Sequence, residues 1–276
     1  MVLFQIVCLI FLPIAYVVMA RVDPETWRLT PPIFVAAWIG EATSVAVYGF
    51  YSYSEAWWFR VGGVPLLVPL IWPMVILSGR AVIRRLWPRL ESAAPLAVGA
   101  IVFFDAAMVE VVAVRCGLWA WTEPGYLGVP LIGVVGWAIF AFAVTLLLRE
   151  LAGRGRWLLV LGAPALLHLL LYVSWWLCFR WFWRGDWFGL FAAVAAALTL
   201  LALAVRRRER MEMNLAGVRL IAGGIFIALL AATHPGAGRV WLHVLLTSIP
   251  YALITDFQRK TLAGNPAAIQ SAVHTR

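Results

Sequence analysis

The sequence predicts an all-α, polytopic transmembrane bundle of about eight or nine helices, with an internal repeat in its first half. Three observations point that way. First, 64% of the 276 residues are hydrophobic and only 13% are charged, against about 45–50% and about 25% in a soluble domain; mean hydropathy is +0.91. Second, apolar residues gather in runs of about 20, the length a helix needs to cross a bilayer. Third, Gly63-Val64-Pro65-Leu66 followed by Trp72 recurs as Gly128-Val129-Pro130-Leu131 followed by Trp137, each equivalent pair 65 positions apart. A fixed offset of this kind marks a repeated unit.

In chain order, the first apolar run is 2–20. It resembles a signal peptide, but no Lys or Arg precedes it, so it reads as a retained helix. Arg21 to Arg28 is polar, and Pro31-Pro32 suits the start of a second helix over about 31–50, which holds Glu41. A third helix over about 64–83 is opened by Pro65. The fourth, about 93–114, holds Asp105 and Glu110, and the fifth, about 129–148, is opened by Pro130. The sixth covers about 157–179, the Ala/Leu-rich seventh about 187–205, and two shorter ones about 217–233 and 239–255. Residues 1–256 thus read as one transmembrane domain with repeat units at about 31–85 and 93–149, a second half at about 157–255, and a polar tail at 257–276.

The net charge of +9 would fit nucleic acid in a soluble protein, but its distribution explains it otherwise. With the loops after helices one, three, five and seven and the tail on one side, that side holds seventeen of the 22 Lys and Arg, Arg219 among them. The other side holds Arg60, Arg115, Arg180, Arg184 and Arg239. Positive charge marks the cytoplasmic face, so the reading is a bacterial inner-membrane protein with a cytoplasmic C-terminus and both Gly-Val-Pro-Leu motifs at the outer interface.

A carboxylate at bilayer depth costs about 2.5–3.5 kcal/mol on insertion scales, so Glu41, Asp105 and Glu110 are the candidate catalytic residues. The bland reading is that they hydrogen-bond between helices or pair with arginine. Aromatic faces attract cations, which suits a site passing through a carbocation, and Trp72, Trp137, Tyr48, Tyr51, Tyr53, Trp119, Trp121 and Tyr126 are candidates to line a substrate pocket. Trp57, Trp58, Trp119 and Trp121 also fit an interfacial aromatic belt. His168 reads as a packing or hydrogen-bonding residue. The three cysteines show no pair spacing, and no histidine cluster suits iron, so no metal site is expected. No phosphate loop, Ser/His/Asp arrangement or diphosphate-binding acidic motif is present.

The segments Glu41-Ala-Thr, Tyr48-Gly-Phe-Tyr-Ser-Tyr53, Gly63-Val-Pro-Leu66 and Trp72, and then Asp105, Gly117-Leu-Trp-Ala-Trp121, Tyr126-Leu-Gly-Val-Pro-Leu131 and Gly136-Trp137, resemble the carotenoid biosynthesis membrane protein family. That family includes carotenoid 1,2-hydratases and bisanhydrobacterioruberin hydratases, and it looks related to lycopene-cyclase-type membrane proteins. The chain departs from the family pattern at Gly133-Val134 and at Val109-Glu110. The resemblance implies a cofactor-free addition of water to a terminal double bond of an acyclic carotenoid. On that reading Asp105 or Glu41 donates the proton and Glu110 orients water. The partners are an apolar carotenoid or isoprenoid and membrane lipid, not nucleic acid. The alternatives are a cyclase, in which an internal alkene captures the same cation, and a non-catalytic binder or transporter of an apolar lipid.

Overall fold

The computed structural model describes residues 1–123, 125–151, 155–179 and 213–254. Among the described residues are eight α-helices: α1 (Val2–Val22), α2 (Thr26–Tyr48), α3 (Leu67–Leu86), α4 (Ala94–Arg115), α5 (Leu131–Leu151), α6 (Leu158–Val173), α7 (Met213–Thr233) and α8 (Gly238–Ile254). Six stretches are long and apolar enough to span a membrane: α1, α3, α5, most of α7, α4 together with the 3-10 turn Pro88–Ala93 before it, and α6 continued to Leu177 through the π-helical turn Ser174–Phe179. The protein is therefore an α-helical membrane bundle, as its composition predicts. The other two helices are α8, which is only 17 residues long, and α2, in which Arg28, Glu41 and several hydroxyl side chains interrupt the apolar run. The expected seventh helix at 187–205, the arginines Arg206, Arg207, Arg208 and Arg210, and the tail from 257 lie outside the described residues.

Several boundaries differ from expectation. The polar Arg21–Arg28 stretch is helical except at Asp23–Glu25, and α2 begins at Thr26, with Pro31 and Pro32 in its second turn. The connection is short because Asp23 organises it. Its carboxylate accepts the Glu25 N–H at 3.1 Å and pairs with Arg84 of α3. Pro65 does not open α3 but closes a small hairpin before it, in which β2 (Arg60–Val61) pairs with β3 (Val64–Pro65). Gly62 and Gly63 form the turn with φ of +61° and +80°, the left-handed values a two-residue hairpin turn requires. The second motif is built alike. Tyr126 bridges Val129 across Leu127 (φ 53°) and Gly128 (φ +88°). The recurring glycine is thus a turn residue, and the valine after it is the first residue back in register.

Small residues set the helix spacing, as is common where helices meet in a membrane. A Cβ at Gly99 of α4 would lie 3.1 Å from the Ala138 carbonyl oxygen of α5, and one at Gly40 of α2 would lie 3.3 Å from Leu167 of α6. At one end of the bundle the α2–α3 and α4–α5 connections meet. There β1 (Tyr51–Tyr53) pairs antiparallel with β4 (Trp119–Trp121). The ladder is prolonged by Thr122 N–H to Phe50 O (2.8 Å) and Ser54 N–H to Leu118 O (3.0 Å). From α1, Gln5 braces the adjoining loop. Its amide donates to Ala56 O at 3.1 Å, and its carbonyl accepts the Trp58 N–H at 2.7 Å. Because the obstacle at Gly99 is backbone, Gly99→Leu is expected to destabilise the bundle by about 1–3 kcal/mol. A thermal melt in detergent would check this against Leu96→Ala, an exposed position on the same helix, which should be near neutral.

Candidate active site

Residues i and i+2 of a strand share a face. Tyr51 and Tyr53 therefore point the same way, as do Trp119 and Trp121, and the register Tyr51 to Trp121 and Tyr53 to Trp119 puts all four on one side of the ribbon. That side faces two carboxylates inside the helices. Glu41 Oε2 accepts hydrogen bonds from the hydroxyls of Tyr51 and Tyr53 (2.8 Å for Tyr53), and its Oε1 accepts the Trp72 indole N–H at 2.9 Å. Glu110 is held in the same manner. Its Oε2 accepts from the Trp119 and Trp121 indoles at 2.8 and 3.0 Å, and its Oε1 from Trp137 at 2.6 Å. Each acid thus takes two donors from a strand and one from the helix that follows it. Glu110 is 2% exposed and Glu41 half-buried. Among the described residues no ion pair reaches either of them.

The two groups face one cavity of about 70 Å³. Its walls include both carboxylates, the six aromatic donors, and Phe140, Leu167 and Leu171. Trp72 and Trp137 lie with ring centroids 4.7 Å apart, and Phe140 stands edge-on to Trp72 at 4.8 Å. Tyr51 contacts Trp121 at 4.8 Å. Burial, then the neighbouring Glu41 carboxylate, push the Tyr51 and Tyr53 hydroxyls well above the ordinary tyrosine value, and Glu110 adds to this at Tyr51. Both hydroxyls therefore stay protonated and able to donate.

The structure brings together Glu41, Glu110, Tyr51, Tyr53, Trp72, Trp119, Trp121 and Trp137 from the residues singled out in the sequence, and it places three others elsewhere. Asp105, matched to Glu41 by spacing, pairs instead with Arg219, which also donates to Ser78 Oγ at 2.8 Å. Arg219 is not a loop residue: it lies inside α7, with a side chain 6% exposed. Tyr48 hydrogen-bonds His168 Nδ1 at 3.0 Å and stacks on Phe50 at 4.8 Å. Thr43 Oγ1 donates to Ile39 O and lies 2.6 Å from His168 Nε2, so His168 serves as a hydrogen-bonding residue between α2 and α6. Tyr126 lies against His243, ring centroids 5.4 Å apart. Trp57, read as an interfacial residue, is buried and donates to Leu118 O at 2.8 Å, tying its loop to β4.

The sequence marked Gly133 only as a departure from the family pattern, and the structure gives it a role. A Cβ there would fall 2.5 Å from the Trp121 ring, so the Trp121 indole packs directly against this glycine while it reaches Glu110. A hydropathy pattern carries no trace of such a contact.

A helical membrane bundle with two carboxylates facing an aromatic cavity, one buried and one half-buried, defines the class of protein. Residues 1–206 match the family described as carotenoid biosynthesis protein, and the chain belongs to that family. Comparison with curated proteins and with solved structures gave no match.

Two predictions follow from this geometry. Gly133→Ala should displace Trp121 and cost about 1–3 kcal/mol, read as a lowered detergent melting temperature with altered tryptophan fluorescence; an unchanged spectrum would mean the ring does not depend on this glycine. In an ultraviolet titration, Tyr51→Phe and Tyr53→Phe should each lose no tyrosinate step near pH 10, because these two hydroxyls do not ionise there.

Proposed function

We propose that the protein hydrates a terminal carbon–carbon double bond of an acyclic carotenoid, with Glu41 and Glu110 as its catalytic pair. The observation that carries this is the convergence of both carboxylates on one aromatic cavity in a chain that belongs to the carotenoid biosynthesis family. A role in carotenoid biosynthesis comes with the family; the reaction is our inference.

The chemistry needs three things. A trisubstituted alkene must receive a proton, the resulting tertiary cation must be stabilised without being trapped by a protein nucleophile, and one water must be delivered and deprotonated. The hydrogen-bonding partners divide these tasks. An indole N–H donates but cannot accept, whereas a tyrosine hydroxyl does both. The three indoles around Glu110 are therefore complementary to its carboxylate, while the tyrosines around Glu41 accommodate either form. Glu41 is accordingly the proton carrier, passing its proton to the alkene CH. The cation forms on the adjacent tertiary carbon, against the faces of Trp72 and Trp137 and near the negative charge of Glu110. Water adds to that carbon, and its released proton returns to the carboxylate pair. The sum is one water added with no change in oxidation state, so no redox cofactor enters.

Water has a short way to come. Glu110 lies five residues before the end of α4 and Glu41 seven before the end of α2, so both sit roughly 8–10 Å inside the bundle from the ribbon at its end. In our reading that end is the outer one, because the arginine-rich loops are opposite.

Expression in cells that accumulate lycopene should yield a pigment heavier by one water. Glu41→Gln and Glu110→Gln should each lower turnover by about 10²–10⁴-fold. A cyclised pigment of unchanged mass, or lycopene left intact, would overturn the hydratase reading.

A further inference from the structure

A second and larger cavity lies beside the first. It measures about 250 Å³ and is lined by residues of α1, α3, α4 and α7, among them Phe4, Ile71, Val75, Met108, Gly224 and Phe226. Almost all of its wall is hydrocarbon or aromatic. Of its polar members, Asp105, Arg219 and Ser78 are engaged with one another, and Ser248 donates to Met108 Sδ at 3.8 Å. The two cavities share four wall residues, Val68, Trp72, Trp119 and Trp137. Three of these are the indoles whose N–H groups hold Glu41 and Glu110. One aromatic partition therefore carries the carboxylates on its hydrogen-bonding edges and lines the large apolar space as well.

We infer that this second cavity is the binding site for the long hydrocarbon chain of the substrate, and that the tryptophan partition positions the chain's terminal alkene at the carboxylates. The inference rests on the catalytic reading above and extends it. The small cavity alone has room for little more than an end group, so an elongated polyene needs a second apolar space, and this one adjoins the first across the shared tryptophans. Asp105 then has a different role from Glu41 and Glu110. It ties α4 to α7 through Arg219 and so holds two walls of the chain site in place.

The site can be filled without breaking the helix. A Cβ at Gly223 would lie 3.3 Å from the flexible Met108 side chain, which lines the same cavity, and leucine is a better helix former than glycine. Gly223→Leu therefore projects into the cavity from an intact α7. Ala222→Phe, on the same wall, provides a second variant should the first fold poorly, with melting temperature as the control. The probes are lycopene and a short acyclic monoterpene bearing the same terminal alkene. Lycopene binding to purified protein is followed by its absorption shift in detergent, and hydration of both is followed by mass. Filling the cavity should weaken lycopene binding roughly tenfold or more and leave hydration of the monoterpene at its parent level. Glu110→Gln should do the reverse, keeping lycopene bound while abolishing hydration. Lycopene affinity unchanged in both cavity-filling variants, with hydration still lost in Glu110→Gln, would overturn the chain site and leave the catalytic reading standing. A parent protein that neither binds nor hydrates lycopene would overturn the catalytic reading, and the chain site with it.

Discussion

Two carboxylates inside an apolar bundle must have their oxygens satisfied, and the rest of the structure is arranged around that need. A buried acceptor without a partner costs free energy that hydrophobic packing cannot return. Glu41 and Glu110 answer it with aromatic donors rather than with cations. The choice matters for chemistry. A paired arginine would neutralise the acid and occupy its face. Indole N–H and tyrosine O–H groups bind the same oxygens from the edges of rings whose faces remain free to stabilise a cation. Asp105 shows the contrast within the same molecule, since it is held by Arg219.

The short ribbon at the end of the bundle follows from the same requirement. Two of the three donors for each acid come from β1 and β4, and only an extended pair with side chains alternating across it can aim four aromatic rings at two helices at once. The ribbon is fixed from several directions. Thr122 Oγ1 bonds Gly49 O at 2.7 Å, Trp57 bonds Leu118 O, and Gln5 of α1 holds the loop in between. A site built on such a braced element keeps its geometry better than one on a free loop.

The helical class and most helix positions were legible in the sequence because hydropathy at bilayer scale is a strong, local signal. The value of the Gly-Val-Pro-Leu motif was legible too, although its role is a turn at left-handed φ and not the opening of a helix. The acids were harder. Spacing matched Glu41 with Asp105, whereas hydrogen bonding makes Glu110 its counterpart, a displacement of about one and a half helical turns that hydropathy cannot resolve. A cue did exist. Tyr51-Ser-Tyr53 and Trp119-Ala-Trp121 each alternate with period two, which marks strands and puts each pair of rings on one face. Read as strands, they would have pointed to whichever acid lay nearest the end of its own helix. Arg219 was harder to place, since its partner stands 114 positions away, although its apolar neighbours Val218, Leu220 and Ile221 put it inside a helix and not in a loop.

In the proposed hydration a proton from the carboxylate pair reaches the alkene before water does. Turnover of lycopene in deuterated water, with the product examined by nuclear magnetic resonance, tests it directly. One deuterium is expected on the carbon next to the new carbinol carbon, with product formation lowered by about 10²–10⁴-fold in both Glu41→Gln and Glu110→Gln. A hydroxylated product without that deuterium, or undiminished turnover in either variant, would contradict it.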